Sequence, residues 1–323
     1  TNIRINKKAG IPNRIYKRYL QKTNMKILFI SRYIDPNLVA GAYKTSYYIL
    51  SNLEKQKDIK VYKIRIKKQL GRIYKEVIYY WFLMKNLKKK IDKIKPDIVY
   101  IHNQDDVILS LYYIVKYPSV ICIHDIIPLI IKERKFLHTL YFKINLLILR
   151  FLIKHRKIVI HVPSRTTKRD LILFGFPRNR IVVTYWGADK EKYKPIEEIQ
   201  KDKYKRKEFV VGFIGGYPKK NIRKRLDILV EAFLKLKQKY KNIKLVLAGK
   251  YYDEFVEKYK NDVEFLGRLP EEKVPEFYNN LDIFVYSSEY EGFGMQIVEA
   301  MSCKTLVSVS YTHLRAHETV LDL

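Results

Sequence analysis

Short aliphatic or β-branched runs alternate with longer stretches of helical periodicity along most of this chain. MKILFIS, opening at Met25, reads as a buried strand, followed by IKVYKI (59–64) and DIVYIH (97–102). Helical patterns are expected from about Tyr43, through the seventies and eighties, and again after His102. SVICIH (119–124), KIVIHVP (157–163) and RIVVTY (180–185) continue the series, with a long helix near 136–155 and a short one from Thr166. Alternation of this kind specifies parallel βαβ units. A polar, lysine-rich segment at 190–207 contains Pro195 and has no apolar periodicity, so it reads as an interdomain linker. The pattern then restarts with EFVVGFIGG (208–216), a helix over KRLDILVEAFLKLKQKY (224–240), IKLVLAG (243–249), VEFLG (263–267), DIFVYSS (282–288) and a helix from about Met295.

The expected fold class is therefore α/β, with one doubly wound domain over 25–189 and a second over 208–308. Residues 1–24 have no clear periodicity ahead of Met25 and read as an upstream leader or non-native sequence. VSYTHL (Val309 to Leu314) matches one reading frame of a transposase mosaic-end sequencing adaptor. Residues 309–323 are accordingly expected to be foreign, the second domain to be incomplete, and a chain ending there to be unstable or weakly active.

The 323 residues are enough for two domains that each bury a core. Charge is the unusual property, with 64 Lys+Arg against 33 Asp+Glu and a net of +31. A polyanionic partner is one explanation. The cations are spread along the whole chain, however, and an AT-rich coding sequence would also deliver abundant lysine, isoleucine, tyrosine and asparagine. No zinc finger, RNP-type aromatic motif or continuous basic recognition helix accompanies the charge, so nucleic acid is not the expected partner.

Two segments do pair apolar runs with basic flanks, at 77–90 (VIYYWFLMKNLKKK) and 135–157 (KFLHTLYFKINLLILRFLIKHRK). Lys143 and Arg150 interrupt the second, which argues against a membrane span. A helix lying on an anionic membrane surface and a core helix of the α/β domain are the two readings. Cys122 and Cys303 lie in apolar surroundings without metal-ligand spacing, so no metal site is expected and a reducing compartment fits. The expected location is the cytoplasm, with peripheral contact at the inner face of the cell membrane following from the interfacial reading.

Ligands of doubly wound sheets bind outside the carboxyl ends of the strands, so the residues just after each strand matter most. Gly41 and Ala42 precede a helix and would let backbone N–H groups approach a phosphate, although a plain turn glycine explains them as well. His102 and His124 each close a strand, and His124, followed by Asp125 and Pro128, is the better candidate against a structural role. In the second domain Gly212, Gly215 and Gly216 lead into the basic loop PKKNIRKRLD (218–227). Glycine-permitted approach, a helix start and several cations together suit a diphosphate, with a solvated basic turn as the competing reading. The most specific feature is SSEYEGFGMQIVEAM (287–301). There Glu291 stands in a glycine-rich loop and Glu299 about one turn into the next helix, so one ligand can touch both carboxylates.

That segment resembles the Glu-x7-Glu motif of glycosyltransferase family 4, a retaining family with the GT-B fold. Supporting similarities are the His-Asp of VICIHD, the YWGAD segment (185–189), RKRLDILVEAF and VEFLGRLPEEKVPEFY. The resemblance implies two Rossmann-like domains facing a cleft. It also implies transfer of a hexose-type sugar from a nucleoside diphosphate sugar to a glycan or lipid-linked acceptor of cell envelope polysaccharide. UDP- or GDP-sugar would be a co-substrate, with no cofactor and no metal required, since fixed cations can stabilise the leaving diphosphate.

By the same resemblance His124 lies close to the transferred sugar, Gly41 faces the donor phosphates and Lys224 holds the diphosphate, with Lys219, Lys220 or Arg223 as its partner. Glu299 holds the ribose and Glu291 faces the sugar. Gly215, Gly216, Ser288, Gly292, Phe293 and Gly294 complete the donor pocket. Ser287 stands where the family has proline, and Lys304 and Leu306 replace the glycine and proline of its Cys-Gly-Thr-Pro. A sugar-nucleotide epimerase of the same architecture and a basic nucleic-acid-binding protein on a similar scaffold are the alternative functions.

Overall fold

A computed structural model describes residues 23–31, 41–65, 88, 91–130, 136–217 and 222–310. The chain divides into two compact units, Thr1–Tyr185 and Trp186–Leu323. In the first, β1 (Met25–Ser31), β2 (Ile59–Arg65), β3 (Ile98–Ile101), β4 (Ser119–Cys122), β5 (Ile158–Val162) and β6 (Ile181–Val183) form one sheet in the order β2-β1-β3-β4-β5-β6. Every pairing is parallel. Parallel strands covered on both faces must be apolar throughout, and β1 is buried from Ile27 to Ser31.

Helices among the described residues of this unit include α1 (Gly41–Glu54), α2 (Leu111–Lys116), α3 (Ile127–Ile130), α4 (Phe136–His155) and α5 (Arg165–Leu173). α5 begins at an N-cap, where the Ser164 hydroxyl accepts from the Thr167 amide at 3.1 Å. Phe142, Leu146, Leu149 and Ile153, on one face of α4, join the strand residues in the core. The segment 77–90 lies outside the described residues apart from Lys88, which is helical.

The second unit contains β7 (Phe209–Ile214), β8 (Ile243–Ala248), β9 (Glu264–Gly267), β10 (Ile283–Tyr286) and β11 (Leu306–Val309), in the order β11-β10-β7-β8-β9 and again parallel. Its helices are α6 (Glu197–Lys205), α7 (Leu226–Lys239), α8 (Asp253–Tyr259), α9 (Val274–Asn280) and α10 (Met295–Ser302). The chain runs outward from β7 through β8 and β9, then returns to lay β10 on the other side of β7. That reversal opens a crevice beyond the carboxyl ends of β7 and β10, where an open parallel sheet takes its ligand. The corresponding switch point of the first sheet lies between β1 and β3.

One sequence expectation needs correction. The segment 190–207, read as an interdomain linker, belongs to the second compact unit and contains α6. The Asn279 side chain on α9 accepts from the Ile196 amide at 2.8 Å and from Gln200 at 3.0 Å, and donates to the Lys194 carbonyl at 3.0 Å. Tyr193 donates to Glu271 at 2.9 Å. These contacts are largely polar, which is why the segment lacks an apolar period. Glu197 and Glu198 in the first turn of α6 and Lys203 and Lys205 in its last also complement the helix dipole. Residues Val309 and Ser310 take part in the sheet, Val309 pairing with Tyr286 and the Ser310 amide donating to the Tyr286 carbonyl at 3.1 Å. Residues 311–323 lie outside the described residues.

Candidate functional site

At the switch point of the second sheet, β7 is followed by Gly215 and Gly216. Gly215 has φ of 152°, a backbone region that glycine adopts freely. Its neighbour across the sheet is Gly249, φ 148°, where an added Cβ would overlap the Gly215 carbonyl oxygen. Two glycines from adjacent strands therefore form one close backbone crossing. Lys219 and Lys220 lie outside the described residues, and the chain is described again from the short 3-10 turn Ile222–Lys224.

That turn is tied to the loop after β10 by several bonds. The Glu289 amide donates to the Arg223 carbonyl at 2.9 Å, and the Ser287 hydroxyl donates to the Lys224 carbonyl at 2.7 Å. The Arg223 guanidinium donates to the Tyr290 carbonyl at 2.7 Å. Arg225, which follows, has φ of 46° and caps α7 from the left-handed region. A non-glycine residue there costs about 1 kcal/mol or more, held in place by the surrounding contacts.

These loops bring Arg223, Lys224 and Glu291 together. Glu291 Oε1 accepts from Arg223 Nη1 at 2.5 Å and from Lys224 Nζ at 2.7 Å. Lys224 Nζ also donates to the Tyr286 hydroxyl at 3.2 Å and lies 4.7 Å from the centre of that ring. Burial acts to raise the Glu291 carboxyl, but the charges and hydrogen bonds of Lys224 and Arg223 outweigh it and hold it down at about 2. Lys224 is itself lowered, first by burial and then by the like charge of Arg223, against the pull of Glu291. Two cations meet one carboxylate in a poorly hydrated place. An anion is the natural further partner for such a group.

Glu299 lies on α10, which starts after Gly294 at φ 83°. The carboxylate is buried, and its Oε2 accepts from the Tyr278 hydroxyl of α9 at 3.0 Å. Tyr278 is in turn held by its carbonyl, which accepts from the Thr305 hydroxyl at 2.6 Å. Gly292 and Phe293 form the bend between the two acids, and the buried Phe293 ring lies 5.6 Å from Trp186. Ser288 is fully buried, its carbonyl accepting from the Ser310 hydroxyl at 3.0 Å. Its neighbour Ser287, not Ser288, bonds the Lys224 backbone.

In the first unit Gly41 is the first residue of α1. One turn later the Thr45 hydroxyl lies 3.2 Å from His102 Nε2, and the Ser46 hydroxyl 2.9 Å from that of Ser31. The start of α1 is thereby fixed at the switch point of the first sheet. His124 Nε2 donates to the His102 carbonyl at 2.8 Å, and the two rings meet edge to face at 4.7 Å. A carbonyl only accepts, so Nε2 carries the proton and Nδ1 the lone pair. Burial lowers the His124 imidazole to about 4, with the His102 carbonyl opposing and His161 assisting, so the ring is neutral at pH 7.

His102, Cys122 and His124 hold their ligand atoms within 4.8 Å of one another. Burial pushes the Cys122 thiol up to about 12. His161 is likewise lowered to about 4 by burial and takes a 3.1 Å hydrogen bond with Tyr100.

The sequence singled out both acids, Lys224, Arg223 and the glycines but missed Gly249, Tyr278 and Tyr286. Each of these three acts through a partner distant in sequence. Gly249 did stand at the carboxyl end of an expected strand, and that position was the available signal.

Comparison with known proteins agrees with this geometry. The first unit matches the model described as Glycosyltransferase Family 4 over residues 31–192, and the second matches Glycosyl transferases group 1 over residues 195–322. The chain belongs to glycosyltransferase family 4. O-antigen chain mannosyltransferase B of Escherichia coli is 30% identical over 159 residues, 46% of this chain and 41% of that protein. The serotype-specific mannosyltransferase WbdA of Escherichia coli is 29% identical over 237 residues, 66% of this chain and 28% of that protein. The chain thus spans less than half the length of these relatives.

Among solved structures, Anabaena HepE in complex with UDP and glucose aligns with a TM-score of 0.62 at 21% identity, covering 91% of this chain and 82% of that one. Sucrose-phosphate synthase from Thermosynechococcus elongatus aligns at 0.70 and 16% identity, covering 89% and 81%. The fold is GT-B.

Proposed function

We propose that this chain is a retaining glycosyltransferase that moves a hexose-type sugar from a UDP- or GDP-sugar to a glycan or lipid-linked acceptor. The observation that carries the reading is the largely buried Arg223–Lys224–Glu291 cluster, formed by the loops that follow β7 and β10 at the switch point of the second sheet. Breaking the bond from sugar to nucleoside diphosphate places negative charge on the leaving phosphate. Arg223 and Lys224 are fixed cations in a site shielded from water, where such stabilisation is strongest, and the reading requires no metal.

Glu299, oriented by Tyr278, is the acceptor for ribose hydroxyls, and Glu291 turns to the transferred sugar once the diphosphate occupies its cations. His124, neutral with its lone pair on Nδ1, serves as a hydrogen-bond acceptor near the sugar. The likeness to mannosyltransferases of Escherichia coli and the UDP and glucose held by the Anabaena protein support the donor class. Calorimetric titration with a panel of UDP- and GDP-sugars tests it. One donor should bind the wild type and fail to bind Glu299→Ala, while the exposed Lys260→Ala leaves affinity unchanged. Tight binding that survives Glu299→Ala would remove the ribose role, and silence across the panel would remove the function.

A further inference from the structure

The helix α4 is apolar on two faces, and only one of them has a partner among the described residues. Phe142, Leu146, Leu149 and Ile153 pack into the first core. Phe136, Leu137, Leu140, Ile144, Leu147 and Phe151 point the other way, from 38% exposed at Leu147 to 77% at Phe136. At 100° per residue these six lie within about 100° of one another, a continuous stripe that runs about 22 Å along the helix at 1.5 Å per residue. The apolar surface widens at the C-terminal half. There Arg150 donates to the Phe174 carbonyl at 2.9 Å, which holds the end of α5 and its 75% exposed Leu173 beside α4. Soluble surfaces seldom leave so long a stripe uncovered unless something binds it.

The charges around the stripe select the occupant. α4 contains no acidic residue. Lys143 stands exposed at its edge, and Lys154, His155, Arg156 and Lys157 follow Phe151 in an exposed basic cluster. The His155 ring lies 5.1 Å from that of Phe151, so polar and apolar groups share one face. A second copy of this chain would bring the same cations and a further +31 charge. A surface that offers both acyl chains and negative headgroups complements the face at each point. No helix among the described residues is long and apolar enough to cross a membrane.

We infer that the outer face of α4 lies flat on an anionic phospholipid bilayer, with the aromatic and aliphatic stripe at the acyl boundary and the lysines among the headgroups. This goes beyond the donor-site reading and is tested without sugar nucleotide, so the two stand or fall separately.

The test is flotation of the full chain with vesicles of phosphatidylcholine alone and of phosphatidylcholine mixed with phosphatidylglycerol. Binding is expected to the anionic vesicles at low salt and to weaken as salt rises. Phe136→Ser combined with Phe151→Ser should weaken it at least tenfold. Lys154→Gln and Lys157→Gln should cost about fivefold each. The exposed Leu236→Ser in the second unit should change nothing. Leu140→Ser with Leu147→Ser provides a second apolar pair, and unaltered thermal unfolding of each variant confirms that only the surface has changed.

Wild type that ignores anionic vesicles would overturn the inference. So would apolar variants that float like wild type, which would assign binding to charge elsewhere on the chain. A concentration-dependent dimer that the apolar substitutions dissolve would give the face to a second copy.

Discussion

Replacing Glu291 with glutamine removes the one negative charge that Arg223 and Lys224 share, while keeping the size of the side chain. The pull of the two cations is visible in the carboxyl itself, lowered from an ordinary 4.5 to about 2. At 1.36 kcal/mol per pH unit that corresponds to about 3 kcal/mol of favourable interaction, in line with the 3–5 kcal/mol typical of breaking a buried ion pair. For a unit of this size the melting temperature should fall by roughly 10 °C.

The loss should be specific to the empty site. UDP brings negative charge to the same cations, so it should raise the melting temperature of Glu291→Gln more than that of wild type. A unit charge about 5 Å away in surroundings of effective dielectric near 20 amounts to about 3 kcal/mol, so UDP affinity should increase tenfold or more. Turnover of the donor sugar should drop in the same variant. Scanning calorimetry with and without UDP reads the melting temperatures, a titration reads the affinity, and a steady-state assay with donor sugar reads the turnover. The reasoning is refuted if Glu291→Gln unfolds like wild type, or if UDP stabilises both proteins equally.

Other consequences follow from neighbouring contacts. Tyr278→Phe removes the hydrogen bond to Glu299 and should cost about 1 kcal/mol of stability, with KM for the donor rising more than kcat falls, as steady-state kinetics would show. Gly249→Ala forces a Cβ onto the Gly215 carbonyl at a left-handed φ and should destabilise the second unit by about 2 kcal/mol or more in urea unfolding. His124 and His161 are both lowered from 6.5 to about 4. The unfolded chain therefore binds more protons than the folded one between those values, so their contribution is intact above pH 6.5 and is lost as pH falls through 4. Each histidine accounts for about 3 kcal/mol across that window, and replacing His161 with glutamine should flatten the acid limb of a stability–pH curve.

The strands were legible because parallel strands buried on both faces leave unbroken apolar runs, as MKILFIS and IKLVLAG do. The long helix was legible at both ends, Phe136 to His155, because its length exceeds any strand. α6 was not, since what holds it is the Asn279 side chain and not an apolar stripe. α8 and α9 span seven residues each, about two turns, too little for a period to declare itself. In the site, Glu291 and Glu299 were readable from the glycines around them and from the strand before them. Tyr278 was invisible because it reaches Glu299 from another helix, and a tyrosine at that spacing reads only as core. Of the candidates Lys219, Lys220 and Arg223, Arg223 alone lies among the described residues. Arg223 meets Glu291 through the three-dimensional return of β10 beside β7.

The stitching between 223–225 and 287–291 has a consequence for anyone altering donor preference. The loops exchange backbone and side-chain bonds in both directions, so neither holds its shape independently of the other. Residues imported into one from a relative arrive without the partners that oriented them there. A graft of either loop alone should therefore yield a poorly folded crevice and not a new preference. The two segments form one module and would have to be exchanged together.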